Sequence, residues 1–433
     1  MIFDEKHECM PLDQLRELQE ERLRAVVKTA YEKVPHYKRV FDEKGLKPED
    51  IKSLDDLDKI PFTYKNDLRD NYPFGMLAVS LEEVAEIHAS SGTTGNPTVV
   101  AYTKKDIALW SHVMARTIAC AGCTPNDIMQ NAYGYGLFTG GLGFHYGAME
   151  LGASVVPTSS GQTKRQLKLI QDFGSTVLTC TPSYSLYMAE EALASGIDPR
   201  ETSIRLGILG AEPWSDGLRK EIEEKWDMTA IDIYGLSEII GPGVAVECPG
   251  KNGLHLFSDH FLPEIINPDT GERLGDGEKG ELVLTTLTKE ALPLLRFRIG
   301  DITSIVHEPC EACGRTMPRI SKIFGRTDDM LIIRGINVFP SQIESVLLSV
   351  EGAEPHYLIV IERQRGLDKL ELQVEVSQDA FTDEVKGLEA LRDKITEEIE
   401  SILGLKVNVK LVEPQTIERS MGKAKRVIDK RRI

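Results

Sequence analysis

Between residues 150 and 236 short apolar runs alternate with amphipathic stretches, and this alternation restricts the fold more than any other feature. The runs Ser154–Pro157, Thr176–Thr179, Arg205–Leu209 and Ala230–Tyr234 are too short for buried helices and read as strands. Lys164–Phe173 and Trp214–Trp226 carry helical spacing between them. Strands separated by helices form parallel sheets, because a parallel pair needs a crossover longer than a hairpin. The expected core is therefore a parallel α/β sheet whose ligands bind beyond the carboxyl ends of the strands, where Tyr234-Gly235-Leu236-Ser237-Glu238 emerges.

The flanking segments read differently. Pro11–Glu43 has helical periodicity and strong helix formers, and is expected to pack across the main body, with a second helix over Ile107–Asn126. From Gly280 onward, GELVLTTLT and the stretch after Asp301 read as antiparallel strands. Beyond Arg326–Asp329 follow a helix at Gln342–Val350, strands at His356–Arg363 and Leu370–Val376, a helix at Phe381–Leu403 and a strand at Val407–Val412. That order describes a small α+β domain, placing domains at 1–327 and 328–433.

Composition excludes several classes. With 51 basic against 68 acidic residues the net charge is −17, which disfavours nucleic acid as a partner. The N-terminus MIFDEKHECM has charges where a signal peptide needs an apolar core, so a cytoplasmic location is expected. The uncharged run Gln130–Met149 contains glycines 134, 136, 140, 141, 143 and 147 with Asn131 and His145, and reads as an active-site segment rather than a membrane span. Seven cysteines, an odd number without secretory context, argue against a disulfide framework.

The loop Ser90-Ser91-Gly92-Thr93-Thr94-Gly95-Asn96-Pro97-Thr98 can wrap an anion: Gly92 and Gly95 free the backbone to aim N–H groups, and the hydroxyls of Ser90, Ser91, Thr93 and Thr94 add donors. A plain polar turn has the same composition, and the spacing is not that of a Walker loop. The loop is followed by Asp232-Ile233-Tyr234-Gly235-Leu236-Ser237-Glu238, Arg296-Phe297-Arg298-Ile299-Gly300-Asp301, Gly325-Arg326-Thr327-Asp328-Asp329 and Gly422-Lys423. In this order the set resembles the adenylate-forming superfamily of acyl-CoA synthetases. The runs NAYGYGLFTGGLGFHYGA, YGLSEIIGPGVA, LTKEALPLLRFRIGD and GRTDDMLIIRGINVFPSQIE resemble the phenylacetate–CoA ligase family within it.

The resemblance implies a large N-terminal α/β domain with a β-rich subdomain, a small mobile C-terminal domain, and the substrates ATP, CoA and an aryl acid. It implies that the phosphate loop, Ala211-Glu212-Pro213, Asp232, Tyr234, Gly235, Ser237, Asp301 and Arg326 bind the nucleotide, and that Glu238 holds Mg²⁺. A carboxylate suits that hard cation, and the two oxygens of Asp301 suit a ribose diol, with an Arg298 ion pair as the alternative for Asp301. Lys423 is the expected catalytic residue for adenylation, its ammonium countering charge on the phosphate, within a basic tail that could simply be solvated. Asp328 matches the hinge, and Arg334-Gly335 the loop facing CoA. Tyr133, Phe138, Gly140 and Gly141, with Ala211 opposite, fall where the family lines its aryl pocket. Asn96 stands where the family usually has Lys.

A second constellation is Cys310-x-x-Cys313 on a Glu/Pro/Gly knuckle. Two such thiols suit a structural Zn²⁺, with Cys248 and His255 completing four ligands, or His307 in place of His255; two free thiols are the alternative. The expected activity is ATP-dependent formation of an arylacetyl-CoA, with AMP and diphosphate released. An enzyme that loads a carrier protein and a non-catalytic zinc protein are the rivals, and a homodimer is compatible with the ligase reading.

Overall fold

The computed structural model describes all residues except 90–96, 327–330, 334–335, 365–366, 378–384, 404, 406, 420–423 and 432–433. Two compact units emerge: Met1–Cys180, Thr202–Ala211 and Thr229–Lys322 form one, and Thr181–Glu201, Glu212–Met228 and Ile323–Ile433 the other. The sequence boundary at 327/328 falls among residues outside the described set.

The first unit is organised by a nine-stranded sheet. Thr229–Leu236, Leu206–Gly210, Val177–Cys180, Ile128–Asn131 and Ser154–Val156 lie side by side in that order, all parallel. These are the four expected strands plus Ile128–Asn131. They are apolar enough to be covered on both faces: every residue of Val177–Cys180 and Leu206–Gly210 is buried. Beyond Thr229–Leu236 the sheet turns antiparallel through Gly241–Glu247, Leu254–Leu256, Arg319–Ile320 and Ile305–Val306. A smaller antiparallel sheet contains Phe261–Ile266, Gly280–Thr286 and Phe297–Thr303, as the β-rich reading anticipated.

Three boundaries differ from expectation for local reasons. The N-terminal helical pattern divides into Leu12–Lys33 and Pro35–Glu43. Pro35 lacks an N–H and drives Val34 to an extended φ of −107° and ψ of 110°. The second helix runs Lys104–Ala121, not to Asn126, opening on a reciprocal Thr103/Asp106 cap and ending at Gly122 with φ +107°. The uncharged run contains an unforeseen helix, Gly140–Leu151. Its glycines serve packing: a Cβ on Gly147 would lie 2.5 Å from the Cβ of Met114 in the neighbouring helix.

The second unit contains helices Pro182–Ala194 and Asp216–Trp226, joined where the Trp226 indole donates to the Ser185 carbonyl at 3.0 Å. Its four-stranded sheet has the order Asn408–Val412, Leu367–Val376, Ala353–Gln364, Val427–Asp429, with helices Pro340–Leu347 and Val385–Leu403 alongside. Ile343, Leu347, Ile359, Leu372, Ile395 and Ile399 form its core. No described helix is long and apolar enough to cross a membrane.

Candidate active site

The carboxyl end of the strand Thr229–Leu236 carries the first cluster. Tyr234 is buried, and its hydroxyl donates to Asp301 Oδ2 at 2.5 Å from the strand Phe297–Thr303. Asp301 is not paired with Arg298. That guanidinium binds the Glu281 carboxylate and donates to the Pro268 carbonyl at 2.8 Å. One Asp301 oxygen thus holds the tyrosine ring in place. Asp232 is buried within the same strand, its N–H donating to Glu247 Oε2 at 3.0 Å. Gly235 has a structural task, because a Cβ there would meet the Gly241 carbonyl oxygen at 2.2 Å, where the next strand folds back.

Past Leu236 the chain turns through residues 237–240, and this turn is fastened on every side. Ser237 Oγ lies 3.2 Å from Thr139 Oγ1, and the Tyr102 hydroxyl donates to the Ile240 carbonyl at 3.1 Å. The Glu238 side chain is buried, with only 6% of the residue exposed. Its Oε1 accepts from Thr98 Oγ1 at 3.1 Å and lies 3.6 Å from Lys65 Nζ. Beneath it the buried Lys289 ammonium donates to the Glu238 carbonyl at 3.3 Å and sits 4.6 Å from the Tyr102 ring centre. Burial pushes that lysine down to about 8, against the pull of Asp106 and Glu238. A carboxylate and a hydroxyl with cations nearby make a hard oxygen site flanked by positive charge, suited to a divalent cation and the phosphates it accompanies.

The expected acid pocket is brought together in part. Gly140 lies against Tyr133, since a Cβ there would be 3.5 Å from that side chain, and the Gly141 N–H donates to the Gly134 carbonyl at 3.2 Å. Tyr133 is buried and stacked on Phe144 at 5.1 Å, whereas Phe138 is 55% exposed. Ala211 ends the strand Leu206–Gly210 with a left-handed φ of +69°. The loop before Gly140 is anchored by His88, whose Nδ1 pairs with the Leu137 carbonyl at 3.0 Å while Nε2 meets Glu86 at 2.5 Å.

Glu212, Pro213 and Arg326 belong to the second unit. The Glu212 carboxylate accepts from the N–H groups of Ser183 and Ala424, each at 2.8 Å, and Pro213 is exposed. Arg326 ends the short strand Gly325–Arg326 and is partly buried. Ser90, Ser91, Gly92, Thr93, Thr94, Gly95 and Asn96, together with Asp328, Arg334, Gly335 and Lys423, lie outside the described residues.

The second cluster is the cysteine knuckle. Ligand atoms of Cys248, His255, Cys310 and Cys313 all lie within 4.8 Å of one another. Cys248 Sγ is 3.9 Å from Cys310 Sγ, and Cys313 Sγ is 3.4 Å from His255 Nε2. A tetrahedral metal with bonds of about 2.3 Å to sulfur has edges of about 3.8 Å, so these two spacings fit a common ion. His255 arrives because the strand Leu254–Leu256 pairs with Arg319–Ile320, setting His255 opposite Arg319. His307, the other sequence candidate, is half exposed and paired with Asp276 at 2.8 Å. Cys248 and Cys313 contest one proton: their hydrogen bond drives Cys248 up and Cys313 far down. All seven cysteines are free of disulfides.

Sequence reasoning did not single out Lys65 or Lys289, and gave Thr98, the last residue of the phosphate-loop stretch, no role of its own. Lys289 lies within the quoted run LTKEALPLLRFRIGD, but nothing in the order of residues shows where its ammonium goes.

Relatives of known family match the chain along its whole length. Residues 5–287 match the AMP-binding enzyme family and residues 335–431 the AMP-binding enzyme C-terminal domain. A phenylacetate–coenzyme A ligase of Thermus thermophilus is 51% identical over 100% of both chains. One from Escherichia coli is 49% identical over 98% of this chain and 97% of that one. Among solved structures, a 2-hydroxyisobutyryl-CoA ligase in complex with 2-HIB-AMP superposes with a TM-score of 0.93 at 30% identity, covering 98% of this chain and 91% of that chain.

Proposed function

The chain belongs to the phenylacetate–CoA ligase family of AMP-binding enzymes, and from that premise we propose that it joins phenylacetate to CoA at the expense of ATP. The acid attacks the α-phosphate to give an acyl-adenylate and diphosphate, and the CoA thiol then displaces AMP. The observation that carries the reading is the Glu238 turn, a buried carboxylate flanked by Thr98 and Lys65 at a strand end, in a chain aligned throughout with these ligases.

Tyr234 is assigned to stack on adenine, its hydroxyl bonded to Asp301, and the Asp301 carboxylate is assigned to the ribose hydroxyls. Arg326 and the loop 90–95 are assigned to ribose and phosphates. Glu238 with Thr98 suits Mg²⁺, which when bound would neutralise phosphate charge. Lys65, 3.6 Å from the same carboxylate oxygen, adds positive potential where attack of an anion on an anion must be made tolerable. Lys423 is assigned to adenylation and Arg334-Gly335 to the thioester step, with Asp328 as the hinge between them. The aryl ring is assigned to the pocket of Tyr133, Phe138, Gly140 and Gly141, with Ala211 opposite.

Cys248, His255, Cys310 and Cys313 are assigned a structural Zn²⁺, which would tie strand, loop and knuckle together without entering the reaction. The cytoplasm is the compartment such free thiols and substrates suit.

A panel of acids assayed for CoA-dependent AMP release tests the substrate assignment. Phenylacetate should exceed acetate in kcat/KM by about a hundredfold, as expected from burying a ring. A higher kcat/KM for acetate or palmitate would remove the aryl assignment while leaving the adenylate chemistry standing.

A further inference from the structure

The Lys289 ammonium is buried, 3% exposed, and takes no part in the chemistry assigned above. Burying a cation is costly unless it answers a specific acceptor. Asp106, one of the two carboxylates whose charge acts on Lys289, is already satisfied: its Oδ1 accepts from the Glu290 N–H at 2.7 Å, and its Oδ2 from those of Ala291 at 2.9 Å and Thr103 at 3.0 Å. Lys289 instead donates to the backbone carbonyl of Glu238 at 3.3 Å. It rests on the ring of Tyr102, whose hydroxyl holds the carbonyl of Ile240 two residues on. Two carbonyls of the turn 237–240 are thus held from below, by a residue 51 positions away in the chain and one 138 positions away. The Glu238 carboxylate projects from that turn to Thr98 and Lys65.

We propose that Lys289, seated on Tyr102, is the positioning residue that locks the turn 237–240 and so aims the Glu238 carboxylate at the metal-bound triphosphate. The inference rests on the reading of Glu238 as the magnesium holder. A hydrophobic side chain of similar length would fill the same space without desolvating a charge, but it would leave the Glu238 carbonyl buried without its donor and the turn free to shift. Groups that orient a metal's ligands typically change metal affinity by about 10–100-fold when removed. Tyr234 and Asp301, assigned above to adenine and ribose, are held by a hydrogen bond of their own.

The test is equilibrium titration of the full-length protein with ATP plus Mn²⁺ and, separately, with AMP alone. Lys289→Met should weaken Mn²⁺-dependent ATP binding about tenfold, leave AMP binding within about twofold, and preserve thioester formation from supplied phenylacetyl-adenylate. Tyr102→Phe keeps the ring beneath the ammonium but loses the bond to Ile240, so a smaller loss with the same selectivity is expected. It decides the question if Lys289→Met does not fold. Unchanged Mn²⁺-dependent binding in the folded variants, or an equal fall for AMP, overturns the proposal. Glu238→Gln separates the two readings. If it leaves Mn²⁺-dependent binding intact, the magnesium assignment itself fails; if it weakens that binding while Lys289→Met does not, only the role of Lys289 fails.

Discussion

The Glu238 turn and the Cys248/His255/Cys310/Cys313 cluster are both buried polar constellations in the same unit, yet they are built on opposite plans. In the cluster the four ligand atoms face one another at spacings that one metal would fill, so that the protein would supply all four positions of a tetrahedral ion. At the turn the protein's donors hold the backbone from below and one carboxylate oxygen from the side, through Lys289, Tyr102 and Thr98. The Glu238 carboxylate, proposed as the magnesium holder, is thereby fixed through one oxygen only. A site that closes on itself stabilises; a site supported from behind can exchange ligands. Substitutions in the first should therefore move stability, and those in the second should move rates and nucleotide affinity.

The sharpest way to break this division lies on the catalytic side. Lys423→Ala should lower adenylation by about a hundred- to a thousandfold, while thioester formation from supplied phenylacetyl-adenylate survives. Equal loss in both half-reactions, measured by rapid quench, would show that one arrangement serves both. Asp301→Asn comes next. It keeps the volume but alters the acceptor of the Tyr234 hydroxyl, proposed above to meet the ribose as well, and should raise the KM for ATP by about tenfold with little change in melting temperature. A large loss of stability instead would make the Tyr234–Asp301 pair a structural element like the knuckle.

From the other side, freshly purified protein should contain about one zinc, and Cys310→Ser should lower both metal content and melting temperature, with turnover per folded molecule within about twofold. Absence of zinc by elemental analysis, or a rate collapse without loss of stability, would erase the contrast.

The smallest effect concerns Glu221 in the helix Asp216–Trp226. Burial, reinforced by Glu354 and Glu190, raises its pKa to about 7 despite Lys225 at 3.6 Å. Folded protein then holds a proton that the unfolded chain releases near its ordinary value of about 4.3, so this group's contribution to stability falls as pH rises from there to about 7. Glu221→Gln should flatten that part of the urea-denaturation profile by at most a few kcal/mol, without changing activity. An unaltered slope would assign the pH dependence elsewhere.

How much of this was legible depended on the range over which each signal acts. The parallel strands were readable because a short apolar run between turns has few other uses, and Val177–Cys180, Leu206–Gly210 and Thr229–Leu236 fall within one or two residues of the ranges expected. The division at Pro35 follows from a local rule that the continuous helical periodicity concealed. The helix Gly140–Leu151 was hidden because its glycines look like loop material, whereas Gly147 is there to let a helix approach Met114.

For the sites, order along the chain determined the family motifs, the placing of Tyr234 and Glu238 at a strand end, and the pairing of two thiols two residues apart, because each is a property of neighbours in sequence. Tertiary structure alone decided that His255 and not His307 completes the cluster, since strand pairing opposite Arg319 brings the first and Asp276 takes the second. It likewise decided that Asp301 answers Tyr234 and not Arg298, and that Lys289 lies beneath Glu238. Which buried charge meets which partner is settled by distances between segments far apart in the chain, and a desolvated group must find its partner wherever packing has placed it.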